Sequence, residues 1–132
     1  MIWIDSLIAN AIHELALLEG GGAEGVRDPG LLESALARPL QLLAYAKPKP
    51  TIPDLAAAYA WGLIRDHPFV DGNKRTALLV ADAFCTSNGY RFGAAEEECV
   101  IIFQAAAAGE IQEAVLAAWF KRHTKKSRQY GL

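Results

Sequence analysis

The sequence predicts an all-α fold, a single compact bundle of about six helices, and three observations predict it. Apolar residues make up 52% of the chain and are rich in Ala and Leu, a composition that belongs to packed helices and not to disorder. They recur at three- and four-residue spacing, and Gly and Pro punctuate the stretches in which they do so. At 132 residues the chain is long enough to bury a core of its own, so one domain is expected over residues 1–132.

Ile4, Leu7, Ile8, Ile12, Leu15 and Leu18 mark the first helix, which Gly20-Gly21-Gly22 ends. Asp28 is placed to cap a second helix with Pro29 in its first turn, and Pro39 sets the latest end expected for it. Residues 46–53 hold three prolines and two lysines, which predict an exposed, extended connection. A third helix is expected from Asp54 as cap to about Asp66, and a fourth from Asn73 to the stop signal Asn88-Gly89. Two more, near 95–108 and 110–123, meet at Gly109. Lys121, Arg122, Lys125, Lys126 and Arg128 make a basic end, and a frayed tail is expected over 124–132.

A formal net charge of -2 removes any global electrostatic case for nucleic acid or an anionic membrane as partner. No stretch reaches the ~18 apolar residues that a membrane span needs, and Met1 is followed by no leader pattern. A cytoplasmic protein is therefore expected. Cys85 and Cys99 lack metal-ligand company and fall on apolar helix faces, which predicts two buried free thiols.

The chemistry concentrates in His67-Pro68-Phe69-Val70-Asp71-Gly72-Asn73-Lys74-Arg75-Thr76-Ala77, between the third and fourth helices. The start of a helix leaves backbone N–H groups unpaired and carries about half a positive charge, so it stabilises anions. Gly72 permits a tight turn close to a phosphate, Lys74 adds a point charge, and Arg75 adds a planar fork. A carboxylate at Asp71 would repel phosphates unless a cation lay between them, which predicts Mg²⁺ there. An imidazole can take a proton from a hydroxyl, which makes His67 the candidate base. Phe69 is the candidate anchor of the loop. Asp71 has a second reading as a helix cap, and Asn73 either caps the helix or positions Asp71 and phosphate oxygens. Arg65 is either within reach of a nucleotide or an exposed helix arginine, and His13 and His123 read as surface or core residues.

The run HPFVDGNKRTA resembles the loop of the Fic and Doc superfamily, and Lys74, where nucleotidyl-transferring members usually carry Gly, resembles the Doc branch. The stretch Gly25–Pro39 and the closing Ala-rich helices are similar as well, so the resemblance covers nearly the whole chain. It implies a toxin that moves the γ-phosphoryl group of ATP, with Mg²⁺, to a Ser or Thr hydroxyl of a translation factor, elongation factor Tu by analogy. It also implies a Phd-like antitoxin as partner, and a flap in the 46–53 region that positions the target. His67, Asp71, Lys74 and Arg75 would then be catalytic, and Gly72, Asn73, Lys74, Arg75 and Arg65 would bind nucleotide. The adenylyl-transferring pattern has a second Arg three residues after the first; here that position is Leu78. Adenylyl transfer and a non-catalytic binding module are the alternatives. No Ser or Thr is followed four residues later by Glu-Gly or Glu-Asn, the inhibitory signature of many Fic enzymes, so control is expected from a separate chain.

Overall fold

The computed structural model describes residues 1–127. Their elements are α1 (Ser6–Gly20), α2 (Pro29–Tyr45), α3 (Ile52–Asp66), α4 (Asn73–Ser87), β1 (Tyr90–Phe92), α5 (Glu96–Ala107), α6 (Glu113–His123) and β2 (Thr124–Lys126). The fold is all-α apart from the β1–β2 ribbon.

α3 organises the rest because it is apolar on every side: Leu55, Ala57, Tyr59, Ala60 and Leu63 are all buried. A helix with no polar face has to lie at the centre, and α2, α4, α5 and α6 pack around it. Each large apolar side chain buried there contributes about 1.5–3 kcal/mol. The small residues of α3 set how close its neighbours come. A Cβ added at Gly62 would stand 3.2 Å from the Ala35 carbonyl oxygen and 3.1 Å from Arg38 Cδ. The Tyr59 hydroxyl ties the start of the chain to this core, accepting from the Ile4 N–H at 2.9 Å.

That close approach explains one departure from the sequence reading. α2 does not end at Pro39 but continues to Tyr45. Proline supplies no N–H for the Ala35 carbonyl, which would ordinarily stop a helix. Here that carbonyl lies against Gly62, and Pro39 is itself buried, so packing on α3 carries the helix past the break. A second departure is the cap of α3, which is Thr51 and not Asp54. The Thr51 side chain accepts from the Asp54 N–H, while the Asp54 carboxylate accepts from the Thr51 N–H at 2.8 Å, a reciprocal capping box.

The third departure is at the end of the described chain. Thr124–Lys126, expected to fray, pairs antiparallel with Tyr90–Phe92, with Phe92 opposite Thr124. A two-stranded ribbon is marginal alone, and Phe92 anchors this one by packing on Trp119 and Phe120, with centroids 5.5 and 5.1 Å apart. The rest of the expected tail, 128–132, lies outside the described residues. α6 starts at Glu113, three residues later than the expected 110.

On α1 the buried face is Ala9, His13 and Ala16, while Leu7, Leu15 and Leu18 are 79%, 56% and 82% exposed. Cys85 and Cys99 are buried free thiols; burial pushes Cys85 up to about 12. No helix among the described residues is long and apolar enough to cross a membrane.

Candidate active site

α3 ends at His67 because Pro68 disfavours the right-handed helical region for the residue before it. His67 takes the left-handed conformation instead, φ 52 and ψ 54, and is the one non-glycine residue with positive φ among the described residues. Such backbone costs about 1–2 kcal/mol for a side-chain-bearing residue, so its neighbours must hold it. The Arg27 side chain does so, donating from Nε to the His67 carbonyl at 2.8 Å and from Nη2 to the Asp66 carbonyl at 2.9 Å. The Pro68 carbonyl accepts from the Arg27 and Asp28 N–H groups, and the Gly25 carbonyl accepts from the Val70 N–H at 3.0 Å.

Phe69 is fully buried, as an anchor should be. Its ring stacks on His13 with centroids 4.0 Å apart and planes 10° from parallel. His13 Nε2 lies 2.8 Å from the Asp71 carbonyl, and because a carbonyl only accepts, that nitrogen carries the proton. Asn73 does not cap the helix, one of the two roles the sequence offered it. Its amide bonds the Phe69 backbone in both directions, accepting from the N–H and donating to the carbonyl, each at 2.9 Å. The loop is thus fixed from below by one aromatic ring and one buried amide.

The cap of α4 is Gly72 at φ 74, and no side chain caps the helix. The N–H groups at the start of α4 are consequently available to an anion. Asp71 accepts from the Gly72 N–H at 3.0 Å and from the Ala23 N–H at 3.2 Å, so it is held beside the helix start without capping it. Gly22 is required there: an added Cβ would stand 2.9 Å from the Asp71 carboxylate, and φ is 120.

His67, Asp71, Gly72, Asn73, Lys74 and Arg75 line one cavity of about 570 Å³. Lys74 and Arg75 also border a second, of about 500 Å³, between α4, β1 and α5, which Leu78 and Phe103 line. Lys74 has no ion-pair partner among the described residues. Arg75 pairs with Glu19 of α1 and lies 4.0 Å from Glu96, so a phosphate would have to compete with those acids. Arg65 stands apart. Its guanidinium lies 5.6 Å over the Trp61 ring, and it does not border this cavity.

Asp71 is the one carboxylate lining the cavity. A single exposed carboxylate with lone pairs to spare suits a cation that takes its remaining ligands from phosphate oxygens and water, the usual mode for Mg²⁺. The donor set therefore fits a nucleotide-borne ion. Next to His67, burial raises the Asp66 carboxyl above its ordinary value, and the Arg38 charge lowers it.

Sequence reasoning missed Arg27, His13 and Glu19. Arg27 sat inside a stretch carrying family likeness, but nothing marked it as a partner of the loop. His13 and Glu19 gave no signal, because their contacts span 58 and 56 residues.

An imidazole, two cations and a carboxylate thus stand around an open helix start, a set of groups able to receive an anionic phosphate. The profile of the Fic/DOC family matches residues 3–85. "Toxin Doc" of Mycolicibacterium smegmatis (strain ATCC 700084 / mc(2)155) is 45% identical over 74 residues, covering 56% of this chain and 57% of that protein. "Protein kinase doc" of Escherichia phage P1 is 34% identical over 115 residues, covering 85% of this chain and 87% of that protein. The chain belongs to the Fic/DOC family.

Proposed function

We propose that this protein is a toxin of a toxin–antitoxin pair, a kinase that moves the γ-phosphoryl group of ATP to a Ser or Thr hydroxyl of a cytoplasmic translation factor. The observation that carries this reading is the single cavity that His67, Asp71, Lys74 and the uncapped start of α4 line together. The relatives named as a toxin and as a protein kinase support it. Leu78 adds support, because it is an apolar residue where the adenylyl-transferring pattern has Arg.

In this mechanism the terminal phosphate rests on the N–H groups at the start of α4, with Lys74 and Arg75 neutralising it. His67 takes the proton of the attacking hydroxyl as its oxygen bonds to the γ-phosphorus. The bond from that phosphorus to the bridging oxygen breaks, and ADP leaves. Asp71 would hold Mg²⁺, which draws charge from the phosphate oxygens. Positioning and charge supply nearly all the rate, as is usual for phosphoryl transfer.

Elongation factor Tu is the substrate proposed, and a Phd-like antitoxin is the partner. Its docking element would be a short amphipathic segment folding on the outward apolar stripe of α1, beside the loop. Leu15→Glu with Leu18→Glu should leave stability within about 0.5 kcal/mol, since both side chains are exposed, yet weaken neutralisation by the antitoxin. Equal protection of cells carrying that variant would rule out this surface. Intact-protein mass spectrometry of elongation factor Tu after incubation with this chain and ATP tests the transfer. A gain of one phosphoryl group is expected, whereas a gain of one adenylyl group would overturn the kinase reading.

A further inference from the structure

We propose that Arg27 is a positioning residue for transfer, holding His67 in its left-handed conformation so that the imidazole faces the phosphate site. The inference rests on the reading of His67 as base. Its physical basis is the end of α3, where the last carbonyls of a helix have no helical donor and carry partial negative charge. Arg27 meets two of them at once, the Asp66 and His67 carbonyls at 2.9 and 2.8 Å. The planar fork suits this task, because two donors at fixed separation determine the orientation of both peptide groups, and a lysine ammonium cannot do the same.

Arg27 is exposed but bonded on both sides of its residue. Its own N–H donates to the Pro68 carbonyl at 2.7 Å, and Val26 bridges to Phe69, so its backbone is registered against the same loop that its side chain grips. The remaining anchors hold other points: Asn73 holds Phe69, His13 holds the Asp71 carbonyl, and the Asp71 carboxylate bonds Gly72 and Ala23. Among the described residues, Arg27 alone bonds the His67 carbonyl through a side chain. Without it the His67 carbonyl loses its side-chain donor, and the bonds that remain, at the His67 N–H and the Pro68 carbonyl, flank the left-handed residue without fixing the peptide between them.

The test compares Arg27→Ala and Arg27→Lys with the wild type by two readouts. The first needs no activity: the ¹³Cα and ¹³Cβ shifts of His67 by NMR, which report its backbone conformation. The left-handed signature should be lost or averaged in both variants, and an unchanged signature overturns the proposal. The second is steady-state transfer. In Arg27→Ala, kcat should fall about 10²-fold with the nucleotide KM little changed, a misplaced group and not a lost binding contact. Arg27→Lys should fall between, and added methylguanidine should restore part of kcat in Arg27→Ala only. An unchanged kcat, or a loss that follows a lowered melting temperature and resists methylguanidine, overturns the proposal. If Arg27→Ala does not fold, Arg27→Lys decides it by the same measurements. If the wild type transfers nothing, the kinase reading falls, and the NMR readout still judges the grip of Arg27 on His67.

Discussion

The two ends of α3 carry the two proline-containing connections nearest the site, and they are built in opposite ways. At its C-terminal end, residues 67–73 are bonded at nearly every position: the His67, Pro68, Phe69 and Asp71 carbonyls all accept, and the Phe69, Val70 and Gly72 N–H groups all donate. At its N-terminal end, no hydrogen bond among the described residues fixes Lys47 to Pro50 to the body, and Lys47, Pro48 and Lys49 are exposed. The first connection is tied to the body along its length, and the second is exposed. That difference suits the proposed transfer to a protein, since chemistry demands fixed geometry while a large substrate has to be accommodated.

The contrast predicts unequal responses to substitution. His67→Ala should have the largest effect, a loss of transfer of about 10²–10⁴-fold, because general-base removal typically costs that much. Its exposed side chain packs little, so the melting temperature should stay near that of the wild type. Full growth arrest by the folded variant would break the account.

Asp71→Asn keeps the size of the side chain and its ability to accept from Gly72 and Ala23 but removes the charge. Transfer should be nearly absent at ordinary Mg²⁺ and partly regained as Mg²⁺ is raised, since a weakened site fills by mass action. Full activity of the variant at low Mg²⁺ would show that Asp71 serves the backbone alone.

Asn73→Ala strands a buried N–H and carbonyl of Phe69, which should cost about 1–3 kcal/mol in urea unfolding and lower transfer as well. An unchanged midpoint would mean that the loop is held by other means. Lys47→Ala with Lys49→Ala should be the mildest change. Stability should move by less than about 0.5 kcal/mol, and nucleotide KM should hold, while KM for the protein substrate rises. A loss of kcat at saturating protein substrate would show that this connection also takes part in the chemistry.

The sequence revealed the helices wherever a local signal marked them. Asp28 with Pro29 opens α2, Asn73 opens α4, and Asn88-Gly89 closes it. The loop was legible as the connection between α3 and α4 because Pro68 and Gly72 interrupt the helical pattern there. What escaped was set by distance along the chain. Pro39 passes through α2 because of Gly62 on another helix, and Thr124–Lys126 is a strand because Tyr90–Phe92 offers an edge. In the same way, the ring beneath Phe69 and the fork beneath His67 come from residues 13 and 27, and no local pattern announces them. Arg65, which its place one helical step before the loop left as either within reach of a nucleotide or an exposed helix arginine, is exposed and lies over Trp61.

The most direct test of the central claim is a crystal structure with a non-hydrolysable ATP analogue and Mg²⁺. The terminal phosphate is expected within hydrogen-bond distance of the N–H groups at the start of α4 and facing His67. The backbone of 67–73 should be unchanged, with any movement confined to 46–51. A terminal phosphate seated away from the start of α4, or a loop that rebuilds its backbone to receive it, would contradict the claim that this site is assembled in advance.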